Sequence, residues 1–170
     1  MSGDLDLALR LADAADAISL PHFRSGLAVE TKADLTPVTE ADRAVEAEIR
    51  RLLADARPED AILGEEEGVA GTGSRRWIVD PIDGTRNYAR GIPVWATLVA
   101  LEVDGRVELG VVSAPALHGR WWAERGAGAY ADGERIRVSA VDRVEDAVLS
   151  FSIESPVPPI ARRAWHARGL

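Results

Sequence analysis

The chain has 170 residues, 46% of them hydrophobic, and its 20 basic and 28 acidic residues give a formal net charge of −8. This acidic balance argues against a nucleic acid partner, and no apolar run is long enough to span a membrane. Because the chain contains no cysteine, disulfides and thiolate metal sites are excluded, and oxygen ligands are expected to carry any metal. One compact core is expected at this length.

Two helices are predicted in the first third of the chain. The first has apolar residues at helical spacing from Leu5 and stops before Pro21. The second runs from near Thr39 to Arg57 and stops at Pro58. Its apolar face consists of Val38, Ala41, Val45, Ile49, Leu52 and Ala56. Thr39 and Asp42 match a variant of the capping box, and capping alone would explain Asp42.

Two short strands that follow both end in carboxylates. Ala61–Gly64 is a predicted strand that leads into Glu65, Glu66 and Glu67, and residues 77–79 form a second one that leads into Asp80 and Asp83. If the strands are neighbours in one sheet, Glu65 joins Asp80 and Asp83 around shared cations, since the negative charges would otherwise repel each other. The alternative for the glutamates is a solvated loop, which suits Glu67 best.

The segment after the second strand combines oxygen ligands with a turn. The carbonyl of Ile82 is a third hard oxygen between Asp80 and Asp83, and the amides of Gly84 and Thr85 would face an anion if they begin a helix. The same string is also an ordinary strand-to-turn signal, with Asp83 as a helix cap. Pro81 is expected to stiffen the exit from the strand.

The remaining segments predict hairpins. Ala96–Val103 and residues 106–112 flank Asp104-Gly105, and residues 130–138 repeat the pattern around Asp132-Gly133. Gly68 to Ser74 is expected to be a loose loop. In the pair Trp121-Trp122, one indole is expected to pack in the core, because neighbours in a strand face opposite sides. Helices on one side of a mostly antiparallel sheet give an α+β layered fold.

Three of these segments together resemble the inositol monophosphatase family of magnesium-dependent, lithium-sensitive phosphatases. They are Gly64-Glu65-Glu66, residues 77–85 and residues 34–42. Residues 90–98, 110–117 and 120–123 are similar to the actinobacterial histidinol-phosphatase branch of that family. The resemblance implies the layered sugar-phosphatase fold and places Lys32 where the family has a basic loop residue near the metals; a solvated lysine is the alternative.

The motifs that match the family also imply which residues form the site. It implies that Glu65, Asp80 and the Ile82 carbonyl hold one Mg²⁺, that Asp80 and Asp83 hold a second, and that Gly84 and Thr85 meet the phosphate. An attacking water would be oriented through Thr85 with help from Asp42 and Glu65. The implied activity is hydrolysis of a small phosphorylated substrate, histidinol phosphate in histidine biosynthesis. The alternatives are inositol 1-phosphate or a related sugar phosphate, or an inactive metal-binding fragment.

The resemblance covers only part of such an enzyme. It runs from about Leu5 to about Ser152, whereas the family continues into a second α/β layer whose Trp-Asp motif completes the second metal site. We therefore expect an N-terminal α+β domain at residues 1–153, truncated after the first half of the fold, and a Pro/Arg-rich tail at 154–170 that is non-native or disordered. A basic, partner-binding tail is the alternative. The acidic, amphipathic start predicts a cytoplasmic protein, and a homodimer is allowed.

Overall fold

A computed structural model describes residues 2–26, 29–31 and 37–150. Lys32, residues 34–36 and the tail at 154–170 lie outside the described residues. The chain divides into two units, Met1–Arg137 and Val138–Leu170. In the described part of the second unit, residues Val144–Asp146 form a short 3-10 helix. All elements below belong to the first unit.

The described residues of this unit form three α-helices and ten strands, with one further 3-10 turn at Pro115–Leu117. The helices are α1 (Gly3–His22), α2 (Glu40–Ala56) and α3 (Thr85–Ala89). The strands are β1 (Val29–Thr31), β2 (Pro37–Thr39), β3 (Ala61–Gly64), β4 (Gly68–Ala70), β5 (Arg75–Asp83), β6 (Ala96–Val103), β7 (Arg106–Ala114), β8 (Gly119–Glu124), β9 (Gly128–Ala131) and β10 (Glu134–Ile136).

Eight of the strands form one sheet in the order β10-β9-β8-β7-β6-β5-β3-β4, and β1 pairs with β2 separately. All neighbours are antiparallel except β3 and β5, which are parallel. Both predicted hairpins are present, with Asp104-Gly105 and Asp132-Gly133 in the left-handed backbone region that such tight turns require. The predicted α+β fold with a mostly antiparallel sheet is confirmed.

Helices α1 and α2 cover one face of the sheet. Leu11 of α1 and Ile49 of α2 are fully buried in the same cluster as Trp77 of β5. The indole N–H of Trp77 donates to Asp60 Oδ2 at 2.8 Å, so its one polar atom is satisfied at the edge of this core. Side chains of alternate residues in β5, β6 and β7 supply the rest of the layer.

Helix α2 begins and ends where the sequence predicts. Its N-cap is Thr39, whose backbone N–H donates to Asp42 Oδ2 at 2.8 Å while the Asp42 N–H donates to Thr39 Oγ1 at 3.4 Å. This reciprocal pair is the predicted capping box. The helix ends with Arg57 as its C-cap, and the Arg57 N–H donates to the Leu53 carbonyl at 2.7 Å.

Three predicted boundaries are wrong. Helix α1 continues through Pro21 to His22, because tertiary contacts hold its last turn: the Tyr88 hydroxyl donates to the Ser19 carbonyl at 2.7 Å, and Phe23 lies against Tyr88. Strand β5 is nine residues long and includes Pro81. The expected loop after Glu67 contains β4, which pairs with β3 and forms the edge of the sheet.

The other face of the sheet is not covered by any helix among the described residues of this unit. Alternate residues of β5 to β8, among them Ile78, Leu98, Val112 and Trp121, border a concave region of about 500 Å³. Trp121 is 38% exposed, whereas Trp122 packs against the core. The prediction that one indole of the pair packs in the core is confirmed in part, since Trp122 is partly buried against the core cluster. No helix in the described part of the chain is both long and apolar enough to cross a membrane.

Candidate active site

The parallel pairing of β3 and β5 brings two carboxylates together. Gly64 is in register with Val79, and the Glu65 N–H donates to the Val79 carbonyl at 3.2 Å. Glu65 and Asp80 therefore follow the last paired residues of two neighbouring strands, and their carboxyl groups lie within hydrogen-bonding reach of each other. The two strands are neighbours, as the predicted cluster requires, and they bring Glu65 to Asp80; the shared cations stay a prediction.

A β-bulge shapes the end of β5. Asp80 pairs with Leu98 of β6 and Asp83 pairs with Ala96, so β5 has one residue more than β6 between these pairs. The Thr97 hydroxyl donates to the Pro81 carbonyl at 2.8 Å inside the bulge. Proline lacks an N–H and is tolerated at bulges, which explains why β5 continues through Pro81. The Ile82 side chain is fully buried, and this anchors the backbone that carries Asp80 and Asp83.

Gly84 makes the turn from β5 into α3. Its φ is +86°, and a Cβ at this position would lie 3.0 Å from the Val94 carbonyl oxygen, so the turn requires glycine. Helix α3 then begins at Thr85, with Gly84 as its N-cap and no side-chain capping bond, so Asp83 is not the helix cap that the alternative interpretation of this string expects. The Thr85 hydroxyl lies 3.0 Å from the Ile82 carbonyl and 3.2 Å from Asp42 Oδ1, either of which can accept its hydrogen.

Asp42 links the capping box to the carboxylate cluster. It is fully buried; its Oδ2 accepts from the backbone and hydroxyl of Thr39, and its Oδ1 faces the Thr85 hydroxyl. Burial raises the pKa of Asp42 above its ordinary value, against the opposing effect of the hydrogen bonds from Thr39 and Thr85. The cap therefore uses one carboxylate oxygen of Asp42 and leaves the other at Thr85.

Asp80 has a strongly raised pKa. Burial, the charge and hydrogen bond of Glu65, and the charges of Asp83 and Asp42 raise the pKa of Asp80 to about 8. Its Oδ1 is buried and has no hydrogen-bond partner among the described residues. A divalent cation would satisfy this oxygen and remove the repulsion among the acids. The donor set, carboxylates with a nearby carbonyl, fits Mg²⁺.

The acids are neighbours, but they do not form a closed cage. Within residues 2–26, 29–31 and 37–150, no three side chains of His, Asp or Glu converge in the manner of a preformed metal centre. The assignment of Glu65, Asp80, the Ile82 carbonyl and Asp83 as metal ligands stays a prediction, as does the contact of Gly84 and Thr85 with phosphate.

Sequence reasoning overlooked one buried acid beside this site. Glu46 of α2 is fully buried, and its carboxylate accepts from the N–H groups of Glu66 at 2.7 Å and Glu67 at 3.0 Å. The signal was present in the sequence: Glu46 lies between Val45 and Ile49 in the apolar stripe of α2, where a charged residue is unexpected.

A comparison with protein families identifies the chain. The model of the inositol monophosphatase family matches residues 3–163, nearly the whole chain. The chain belongs to this family. The expected boundary at residue 153 stays a prediction.

Curated relatives include histidinol-phosphatases. That of Mycobacterium tuberculosis strain H37Rv is 56% identical over 156 residues, which are 88% of this chain and 60% of the relative. That of Streptomyces coelicolor is 53% identical over 159 residues, with the same coverage of 88% and 60%. An inositol-1-monophosphatase of Rhizobium meliloti is 46% identical over 125 residues, 72% of this chain and 47% of the relative. The chain thus spans about 60% of the length of the histidinol-phosphatases it matches.

Solved structures confirm the fold. An IMPase from Thermotoga maritima superposes with a TM-score of 0.77 at 38% identity, over 82% of this chain and 55% of that one. The extragenic suppressor protein SuhB from Bartonella henselae superposes with a TM-score of 0.76 at 38% identity, over 85% of this chain and 57% of that one.

Proposed function

We propose that the protein is a magnesium-dependent phosphomonoester hydrolase and that its substrate is histidinol phosphate. The observation that carries the proposal is the cluster in which Asp80 lies beside Glu65 and within electrostatic reach of Asp83 and Asp42. Asp80 has a raised pKa, and its buried Oδ1 has no hydrogen-bond partner in the part of the chain that the structure describes. Membership of the phosphatase family gives this cluster its chemical context.

In this proposal the cluster holds two cations. Glu65, Asp80 and the Ile82 carbonyl would hold one Mg²⁺, and Asp80 with Asp83 would hold the second. When bound, the ions supply charge neutralisation for the phosphate dianion, a lowered pKa for water and stabilisation of the leaving oxygen. Asp80 must lose its proton before it can coordinate, so Mg²⁺ affinity should increase with pH up to about 8.

Thr85 and Asp42 have the geometry of a proton relay. When the Thr85 hydroxyl donates to Asp42 Oδ1 at 3.2 Å, a lone pair on its oxygen remains to accept a hydrogen from the attacking water. As the water oxygen bonds to phosphorus, the bond from phosphorus to the ester oxygen breaks. The water proton would pass to Thr85 and the Thr85 proton to Asp42, while the departing alkoxide would take up a proton from solvent. The raised pKa of Asp42 makes it a better terminal base than an exposed aspartate.

The turn into α3 would hold the phosphate. In a helix that begins at Thr85, the first intrahelical hydrogen bond is donated by the Asn87 N–H to the Gly84 carbonyl at 2.8 Å, so the amides of Gly84 and Thr85 at the start of the turn would donate to phosphate oxygens beside the cations. The left-handed backbone at Gly84 lets the chain turn from the end of β5 directly into α3.

We propose histidinol phosphate over inositol 1-phosphate because the histidinol-phosphatases are more similar to this chain than the inositol-1-monophosphatase is. Two histidinol-phosphatases match 88% of this chain at 56% and 53% identity, compared with 46% over 72% for the inositol-1-monophosphatase. The phosphate and metal contacts are common to both substrates. Discrimination must therefore come from groups that meet the imidazole and ammonium of histidinol phosphate.

Parallel measurements of kcat/KM for histidinol phosphate and inositol 1-phosphate test the proposal, with Thr85→Val as the site variant and the exposed Thr72→Val as its control. We expect a preference for histidinol phosphate and a loss of about a hundredfold or more in kcat for Thr85→Val alone. Equal values, or a preference for the inositol ester, would reject the substrate. Mg²⁺ binding without turnover of either ester would favour the inactive metal-binding alternative.

A further inference from the structure

The turn that carries Glu65 is held by a buried ion pair from α2. Glu46 is fully buried, and its carboxylate accepts three hydrogen bonds: from the Glu66 N–H at 2.7 Å, from the Glu67 N–H at 3.0 Å and from Arg50 Nε at 2.9 Å. Arg50 also donates through Nη2 to the Gly68 carbonyl at 2.6 Å. The pair therefore binds the backbone on the C-terminal side of Glu65, up to the start of β4.

Gly64, the last residue of β3, leaves space for the Glu46 carboxylate. A Cβ at Gly64 would lie 2.0 Å from Glu46 Oε1, which no side chain can occupy, so Gly64 must be glycine while Glu46 is in place. The Glu65 N–H on the other side is held by the Val79 carbonyl. Glu65 thus lies between two fixed points, the β5 backbone and the Glu46 carboxylate.

A charged residue at this position has an energetic cost. An apolar side chain in the stripe of α2 would pack against the core without desolvating a carboxylate, and a buried ion pair is often no more stabilising than an apolar pair of similar volume. The carboxylate does provide two acceptors for two consecutive turn amides, which an apolar residue cannot provide.

We propose that Glu46 is a positioning residue for the metal site: by fixing the turn of Glu65, Glu66 and Glu67 it sets the Glu65 carboxylate beside Asp80. The inference rests on the proposed function, because it takes Glu65 and Asp80 as cation ligands. Glu46 itself contacts neither the cation nor the substrate.

Metal titration of the full chain tests this role without requiring turnover. Glu46→Gln keeps the shape and one acceptor of the side chain but loses its charge. Glu48→Gln is the matched control on the same helix, where Glu48 pairs with Arg51 at the surface, and Glu65→Gln is the ligand variant. Mn²⁺ affinity is measured by isothermal titration, and the melting temperature is measured separately in EDTA.

We expect Glu46→Gln to weaken Mn²⁺ binding about tenfold, as outer-sphere substitutions at metal sites do, and Glu48→Gln to leave it unchanged. A lower melting temperature with unchanged Mn²⁺ affinity would show that Glu46 is only structural and would overturn the inference. Unchanged affinity in Glu65→Gln would instead reject the metal site itself. If Glu46→Gln does not melt cooperatively, Arg50→Lys replaces it. This variant keeps the positive charge but loses the guanidinium that bonds to both Glu46 and the Gly68 carbonyl, and its Mn²⁺ affinity and melting temperature are compared in the same way.

Discussion

Replacing Asp80 by asparagine should stabilise the metal-free protein at high pH, although Asp80 is proposed as a metal ligand. The pKa of Asp80 is raised from 3.8 to about 8 in the folded state, so the folded protein retains a proton that the unfolded chain releases. The contribution of Asp80 to the free energy of unfolding is therefore largest below pH 3.8. It falls as the pH rises through this window and reaches its minimum above pH 8.

The stabilisation expected for Asp80→Asn can be estimated from the difference between the ordinary and the raised pKa of Asp80. Each pH unit between the ordinary and the raised pKa of Asp80 is worth about 1.4 kcal/mol of unfolding free energy, which would give about 6 kcal/mol for a rigid and fully buried group. Asp80 is only partly buried, and solvent screening and relaxation reduce the effect to about 2 kcal/mol. In the variant the amide of the introduced asparagine can donate to Glu65, which preserves the contact. For a chain of this size we expect the melting temperature at pH 8.5 to rise by about 4 to 8 °C.

Differential scanning calorimetry of Asp80→Asn in EDTA, at about pH 5 and about pH 8.5, checks this expectation. The control is Asp104→Asn, an exposed position in a turn whose φ of +50° asparagine tolerates. The advantage of Asp80→Asn should be largest at the higher pH. Added Mg²⁺ should then raise the melting temperature of the parent protein but not that of the variant. An Asp80→Asn protein less stable than the parent at the higher pH in EDTA would refute the electrostatic reasoning, and an equal response to Mg²⁺ would reject Asp80 as a ligand.

Three further predictions concern the fold. Thr39→Ala should lower the free energy of unfolding in urea by about 1 to 2 kcal/mol, because it removes the cap of α2; an unchanged midpoint would contradict this. Trp77→Phe leaves Asp60 without the indole N–H and should cost about 1 to 3 kcal/mol in the same assay, and a neutral result would mean that water replaces the bond. The open sheet face should bind a hydrophobic dye and drive self-association. Trp121→Gln should reduce dye fluorescence and the oligomer fraction in size-exclusion chromatography. A parent protein that is monomeric and binds no dye would show that this face does not drive association.

The parts of the site that could be predicted from sequence are those set by local patterns. Apolar runs that end in carboxylates predicted β3 and β5, and parallel neighbours necessarily present their ends at one edge of the sheet, which joins Glu65 to Asp80. The capping box at Thr39 is likewise local, since three residues of a helix start contain the whole signal.

The features that the sequence did not reveal depend on partners that are distant along the chain. Pro21 stays helical because Tyr88, from α3, binds the carbonyl of Ser19 in the last turn. Pro81 stays in β5 because Thr97 of β6 binds its carbonyl in a bulge. Glu46 is buried because its partners are backbone amides of a turn about twenty residues further along the chain. Periodicity within one segment contains no information about such contacts.

The open sheet face and the candidate site are physically connected through Asp80. Asp80 borders the same concave region as Leu98 and Val112, so this face forms one side of its environment. Anything that covers the face removes water from around Asp80, which raises its pKa further in the metal-free state and strengthens its attraction for a cation. Burial of the face should therefore make Mg²⁺ binding at Asp80 tighter and more strongly pH-dependent.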